Sequence, residues 1–303
     1  MSYRTRDQLI SDFKALETQY PNSVSHESIG KTVRGLDIPL FKVGNPFGGR
    51  VMFVGATHGD ELLGPEVLYY FCRWLLERQE PTYADQLLSK NLFLIAPIFN
   101  MDNYKVIRKN ANGVDLNRNF PVGWGGSGSS ADPTAYNYKG TSASSEPETK
   151  AMLSALEKWK PSFLLDQHIY AGPYFARASN YTSMPTNDVE RHNTIATSVR
   201  NLSTQRISYA FPYLQLGIGG CLADSAYKYG SAISYLIEAY IVPSGPNVPP
   251  PYSDIVPIHL PRFLSFPIIF GQNALPPPPP PPTILIGLTA LASIIAVTYL
   301  LRR

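Results

Sequence analysis

Three short stretches, far apart in the chain, carry residues that could converge on one reaction. "THGDE", at 57 to 61, follows the apolar run "VMFVGA" and places His58 three residues before Glu61. An imidazole and a carboxylate at that spacing, on the turn leaving a strand, can supply two of the three protein ligands of a catalytic zinc. His-x-x-Glu alone is common by chance, so its company matters. His168 closes a second apolar run, "FLLDQH", and Glu238 is the only acid in "SAISYLIEAY". An acid among apolar neighbours is costly to bury without a partner or a task. Between these stretches "RKNANGVDLNRNFP", 108 to 121, gathers Arg108, Asp115, Asn117 and Arg118 with little apolar content. Read blandly it is a polar surface loop; read chemically, an arginine beside an asparagine can clamp a carboxylate through several hydrogen bonds.

These residues need a scaffold, and the pattern of the chain supplies one. "VMFVGA" and "NLFLIAPIF" are short continuous apolar runs of the kind buried on both faces of a sheet. Between them Pro65 is expected to open a helix whose Val67, Leu68, Phe71, Cys72 and Leu75 share one face. "ESIGKTVRGLDIPLFKVG" reads as two strands about a turn at Gly35, and "EPETKAMLSALEKW" and "DVERHNTIATSVRNL" read as helices. Leu9, Ile10, Phe13 and Leu16 recur at helical spacing in a first helix. The fold class is therefore α/β, a mixed and largely parallel sheet flanked by helices, with His58 and His168 at carboxyl ends of strands, where such sheets bind ligands. The long polar stretch "VGWGGSGSSADPTAYNYKGTSASS" suits the wall of a site.

A formal charge of +3 over 303 residues is too small to argue for nucleic acid. Cys72 and Cys221, the only two cysteines, lie in no paired metal or redox spacing and read as small buried residues. The N-terminal stretch reads as helix rather than as a secretory signal. The other end differs in kind: Pro276 to Pro282 is an unbroken proline run, followed by uncharged residues from Thr283 to Leu301 and then by Arg302 and Arg303. As a helix that apolar stretch is about 28 Å long, close to the roughly 30 Å of a bilayer's hydrocarbon. The expected organisation is a catalytic domain over 1–273, a polyproline linker over 274–282 and a C-terminal transmembrane anchor over 283–303, with 283–301 in the bilayer. The two arginines favour a cytoplasmic C-terminus and hence an external domain, whereas the lack of a signal favours a cytoplasmic domain; the expectation is a tail anchor with the domain in the cytoplasm.

Taken in order, "HGDE", "RKNANGVDLNRNFP", "SEPET", "DQHIY" and "LIEAY" closely resemble the metallocarboxypeptidases of the carboxypeptidase A superfamily, peptidase family M14, over roughly residues 5 to 270. The "NANGVDLNRNFP" run is most similar to the carboxypeptidase N, E and D branch, and "HIY" is more similar to the carboxypeptidase A branch. The resemblance implies one zinc held by His58, Glu61 and His168, with Asp115 orienting His58 through its other ring nitrogen. It implies Glu238 as general base and acid and Arg108 as the residue that stabilises the oxyanion. Asn117 and Arg118 would bind the terminal carboxylate of a peptide or protein substrate. Tyr213 is the nearest match to the tyrosine that closes over the substrate, with packing beside Phe211 and Leu214 as the alternative, and Tyr170 matches a subsite tyrosine.

Two other readings stay open. One is a zinc deacylase of the aspartoacylase and succinylglutamate desuccinylase kind, acting on small N-acyl amino acids; the other is a non-catalytic peptide-binding member of the same fold. Cell-wall or other modified peptides are further substrates that the motifs allow. In "GIGGCLADSAYKYG", Leu222 and Ala223 suggest an apolar pocket floor, whereas Asp224 could meet a lysine or arginine side chain.

Overall fold

The computed structural model describes residues 2–169, 173–177, 183–209, 211–230, 233–240 and 249–275. Among the described residues eight strands form one sheet: β1 (Val24–Lys31), β2 (Asp37–Gly44), β3 (Gly49–Gly55), β4 (Asn91–Ala96), β5 (Phe163–His168), β6 (Tyr174–Arg177), β7 (Tyr213–Gln215) and β8 (Ile233–Glu238). Their order is β1-β2-β4-β3-β5-β8-β6-β7. The four strands β4, β3, β5 and β8 run parallel, while β1 and β2 join antiparallel at one edge and β6 pairs antiparallel with β8 at the other. The mixed sheet is the expected one.

The described α-helices that flank it are α1 (Arg6–Gln19), α2 (Leu63–Leu76), α3 (Pro81–Lys90), α4 (Pro147–Trp159), α5 (Thr186–Ile207), α6 (Leu222–Gly230) and α7 (Leu260–Asn273). Helices α2, α3 and α7 contact one another, α5 joins them through α7, and α4 pairs with α6; strand β5 touches both α2 and α6. That sandwich explains why the central strands carry continuous apolar runs instead of alternating ones: β4 and β5 are buried at every position. Phe53 on β3 lies at the heart of the core, in ring contact with Phe71, Phe93, Phe263 and Phe270. Burying one such ring contributes about 1.5–3 kcal/mol over leaving it exposed.

Several elements follow directly from the patterns described above. Thr5 caps α1 through a capping box with Gln8, and Leu9, Phe13 and Leu16 face inward. β1 and β2 turn at Gly35, whose φ of +79° suits glycine. Helix α2 begins at Leu63, two residues before Pro65, and is buried on more than the expected face, Trp74 and Leu76 included. Other elements have weak sequence signals. Helix α7 carries Pro261 and Pro267, residues that argue against helix; Pro261 sits in the first turn, where its missing N–H is harmless, and burial of Phe263, Phe266 and Phe270 outweighs the break at Pro267. Both cysteines are buried thiols, as expected.

Among the described residues no helix is long and apolar enough to cross a membrane. The proline run, the stretch Thr283 to Leu301 and Tyr170 lie outside the described residues.

Candidate metal centre and active site

Strands β3, β5 and β8 are neighbours in the sheet and point the same way, so their carboxyl ends open on one spot. His168 is the last residue of β5 and pairs in register with Glu238, the last of β8. After β3 the chain turns sharply at Ala56, whose φ is +47°, and delivers Thr57 and His58. Gly59 is glycine for a steric reason: a Cβ there would collide with the carbonyl oxygens of Asn103 and Ile107, and its N–H donates to the Arg108 carbonyl at 3.1 Å. The loop that brings Arg108 is thereby pressed against the loop that brings His58.

His58, Glu61 and His168 converge, all buried, with ligand atoms within 4.8 Å of one another. Nδ1 of His58 lies 2.7 Å from Glu61 Oε1, Nδ1 of His168 lies 2.9 Å from Glu61 Oε2, and the two Nδ1 atoms are 3.1 Å apart. Two ring nitrogens and a carboxylate at such spacing repel through their lone pairs unless a proton or a cation sits among them. Tetrahedral zinc, with bonds of about 2.0–2.1 Å to nitrogen, places its ligand atoms only slightly farther apart than this. The far nitrogens are occupied: Asp115 Oδ1 lies 3.1 Å from His58 Nε2 and Asp166 Oδ2 lies 2.9 Å from His168 Nε2. Both rings thus present Nδ1 to the shared point, as metal-ligating histidines do. The donor set fits zinc.

Electrostatics agree with a site built for a cation. Burial alone would raise the Glu61 carboxyl, yet the charges and hydrogen bonds of His58 and His168 hold it well below the carboxylate range. Burial likewise opposes the ionised Asp115, and Arg108, His58 and Arg118 overcome it and keep its pKa well below the ordinary value. His168 goes the other way: burial would lower it, but Asp166 and Glu61 push it well above the usual imidazole value.

The arginine-rich stretch arranges itself around these ligands. Asp115 caps a 3₁₀ turn, Leu116–Arg118, through the Asn117 N–H, and its other oxygen accepts two hydrogen bonds from Arg108 at 3.0 and 2.8 Å. Arg108 also lies 3.7 Å from Glu61 Oε1 and stacks against Tyr136 from the long polar stretch. The two glutamates of "SEPET" brace this loop from behind: Glu146 accepts from Asn110 and Asn112, and Glu148 accepts from Asn110 and the Val33 N–H. Arg118 donates to the carbonyls of Gly128 and Asn117. The Asn117 amide accepts from the Leu222 N–H at the start of α6, and Gly220, at φ +75°, has no room for a Cβ against the Arg118 carbonyl.

A cavity of about 450 Å³ opens over the centre, lined by His58, Asp60, Arg108, Asn117, Arg118, Tyr136, His168, Ile218, Leu236 and Glu238. Seven of the residues singled out in the sequence meet there or directly behind it: His58, His168, Glu238, Arg108, Asn117 and Arg118 on the lining, Glu61 behind them. Asp115 stands one layer back. Asp224 is buried in the first turn of α6 and is not on the described lining. Tyr213 sits on the edge strand β7 against Phe175, with its hydroxyl on Asn193, and is not on the described lining either. Leu222 and Ala223 are buried behind the cavity, and the apolar wall comes from Ile218 and Leu236, which pack with Ala223. Three residues were not read from the sequence: Asp166, Asp60 and Tyr136. Asp166 had a legible signal, since an acid two residues before a strand histidine shares its face.

Residues 9–244 match the zinc carboxypeptidase family, peptidase M14. Carboxypeptidase B of Bos taurus is 29% identical over 211 residues, covering 62% of this chain and 50% of that protein. Mast cell carboxypeptidase A of Homo sapiens is 31% identical over 172 residues, 50% of this chain and 40% of that one, so the chain spans about half the length of the curated relatives it matches. In fold it is similar to bovine thrombin-activatable fibrinolysis inhibitor, solved in complex with tick carboxypeptidase inhibitor: the TM-score is 0.77 at 22% identity, over 89% of this chain and 97% of that one. With the match running from the first helix to just beyond Glu238, the chain belongs to the zinc carboxypeptidase family.

Proposed function

We propose that the protein is a zinc-dependent carboxypeptidase that removes single residues from the C-termini of peptides or proteins. The observation that carries this reading is the arrangement of His58, Glu61, His168 and Glu238 with Arg108, Asn117 and Arg118 about one cavity. Zinc held by His58, Glu61 and His168 supplies a Lewis acid that polarises a carbonyl and lowers the pKa of water. Glu238, in register with His168, takes the proton of the attacking water as the C–O bond forms and passes it to the departing amine as the C–N bond breaks. Arg108, anchored on Asp115, faces the oxyanion with a fixed positive charge. Arg118 and Asn117 receive the substrate's terminal carboxylate, which restricts cleavage to the chain end. The products are one free amino acid and a peptide one residue shorter.

The wall formed by Ile218 and Leu236, with Asp224 off the described lining, supports a preference for neutral apolar terminal side chains over lysine and arginine. The "NANGVDLNRNFP" run supports a place near the N, E and D branch, and "HIY" one nearer the A branch. The domain over 1–273, the proline linker over 274–282 and a single anchor over 283–303 are proposed from the apolar length of Thr283 to Leu301 and its flanking arginines. Recovery of the full-length chain in the soluble fraction would remove the anchor.

The direct test is zinc content together with release of free amino acid from N-blocked dipeptides. One zinc per chain with release from blocked phenylalanine or leucine dipeptides is expected. Turnover of small N-acyl amino acids with none of dipeptides would make the protein a deacylase; zinc with neither activity would make it a binding protein.

A further inference from the structure

Asp166 stands behind the metal ligands, wholly buried and with both of its oxygens engaged. It lies on β5 two residues before His168, so the two side chains share a face. One oxygen accepts from the Thr57 hydroxyl at 2.7 Å; the other is 2.9 Å from His168 Nε2. Thr57 is the neighbour of His58, and β3 and β5 are in parallel register with Val54 opposite Asp166. A single carboxylate therefore bridges the ends of the two strands that carry the two histidines of the metal centre.

The second neighbour of that ring nitrogen sharpens the assignment. Asn117 Nδ2 lies 3.3 Å from His168 Nε2, and the Asn117 amide cannot turn round because its oxygen accepts from the Leu222 N–H. A ring nitrogen can accept from Asn117 or donate to Asp166, not both. Nδ1, which faces Glu61 and His58, must keep a bare lone pair to bind a metal, so the proton belongs on Nε2 and the bond goes to Asp166.

We propose that Asp166, supported by Thr57, is a positioning residue of the zinc centre: it fixes His168 in the tautomer that turns Nδ1 to the metal and locks the separation of the two histidine-bearing strand ends. This rests on the reading of His58, Glu61 and His168 as the zinc ligands. Each imidazole then has its own carboxylate behind it, Asp115 for His58 and Asp166 for His168.

The test is zinc affinity of the full-length chain by competition with a chromophoric chelator, joined to the ring nitrogen chemical shifts of His168 in histidine-labelled protein. Asp166→Asn is expected to weaken zinc binding about 10- to 100-fold. Thr57→Val should weaken it by a smaller factor, and the zinc-loaded wild-type ring should carry its proton on Nε2. Undiminished zinc affinity in Asp166→Asn would overturn the inference and leave the zinc centre standing, whereas a wild-type chain that binds no zinc would remove the centre and the inference together. Should Asp166→Asn fail to fold, the other two measurements decide. Full affinity in Thr57→Val, or a zinc-loaded His168 with its proton on Nδ1, overturns the assignment.

Discussion

Four of the five histidines are buried, and they divide into two pairs with different polar company. His58 and His168 sit at the mouth of the parallel strands, each between two carboxylates, and His168 is driven well above the ordinary imidazole pKa. His192 on α5 and His259 just before α7 are buried to a similar degree, and both are pushed down. For His192 burial is the main cause; its Nδ1 donates to the Asp188 carbonyl and its Nε2 accepts from the Ser234 N–H, which fixes a neutral ring. For His259 burial and the nearby Arg262 bring the pKa to about 4. Burial alone always favours the neutral ring. What separates a ligand from a packing residue is the company of acids, here Glu61 before α2, Asp115 before the 3₁₀ turn and Asp166 on β5.

The sharpest way to break this division is to remove one histidine of each kind. His58→Ala or His168→Ala should lower bound zinc from one per chain towards none, because two protein ligands remain. His259→Gln should leave zinc stoichiometry unchanged. Metal analysis of the dialysed proteins checks both, and zinc retained by His168→Ala would dissolve the distinction.

Within the charged group, Glu238 is expected to act on the proton and not on the metal. Glu238→Gln should keep zinc and thermal stability while turnover falls by roughly 10²–10⁴. Steady-state kinetics on a blocked dipeptide measures this, and near-normal turnover would remove Glu238 from the mechanism. The carboxylate clamp follows at similar or smaller size. Amidating the substrate's C-terminus leaves Arg118 and Asn117 facing a neutral group, and kcat/KM should fall by about 10² or more. Equal cleavage of amidated and free peptides would point to an endopeptidase.

The neutral pair offers the smallest effect, and its sign is determined. The His259 pKa falls from 6.5 in the unfolded chain to about 4 in the fold, so between those values the unfolded chain holds a proton that the native chain lacks. Stability is then lost as pH falls from about 6.5 and levels off near 4, at most roughly 1.4 kcal/mol per pH unit. Thermal melts of the zinc-free protein across that window should show a shallower pH slope for His259→Gln than for the wild-type chain. Identical slopes would remove His259 from the acid response.

Much of the candidate centre was legible because its motifs are local and its elements strongly patterned. "THGDE" follows a run that can only be a buried strand, "FLLDQH" and "LIEAY" end two more, and an acid after such a run stands out for its burial cost. Asp166 went unread although its spacing to His168 was available, because the sequence does not say whether an acid beside a histidine is its partner or a solvated neighbour. The pocket wall was the least legible part. Leu222 and Ala223 looked like a floor, but α6 turns them behind Ile218 and Leu236, and nothing in "GIGGCLADSAYKYG" states how that helix is rotated. The short strands β6 and β7, four and three residues long, are too short for a period of two to register.

By itself the sequence determined the chemical inventory and the strand ends that carry it, because ligand type and apolar runs are properties of a few consecutive residues. Tertiary structure alone decided that Asp166 backs His168, that His192 and His259 are buried as packing residues, and which apolar side chains look into the cavity. Those outcomes depend on the parallel register of β3, β5 and β8 and on the packing of α6, contacts between residues far apart in the chain that no local pattern encodes.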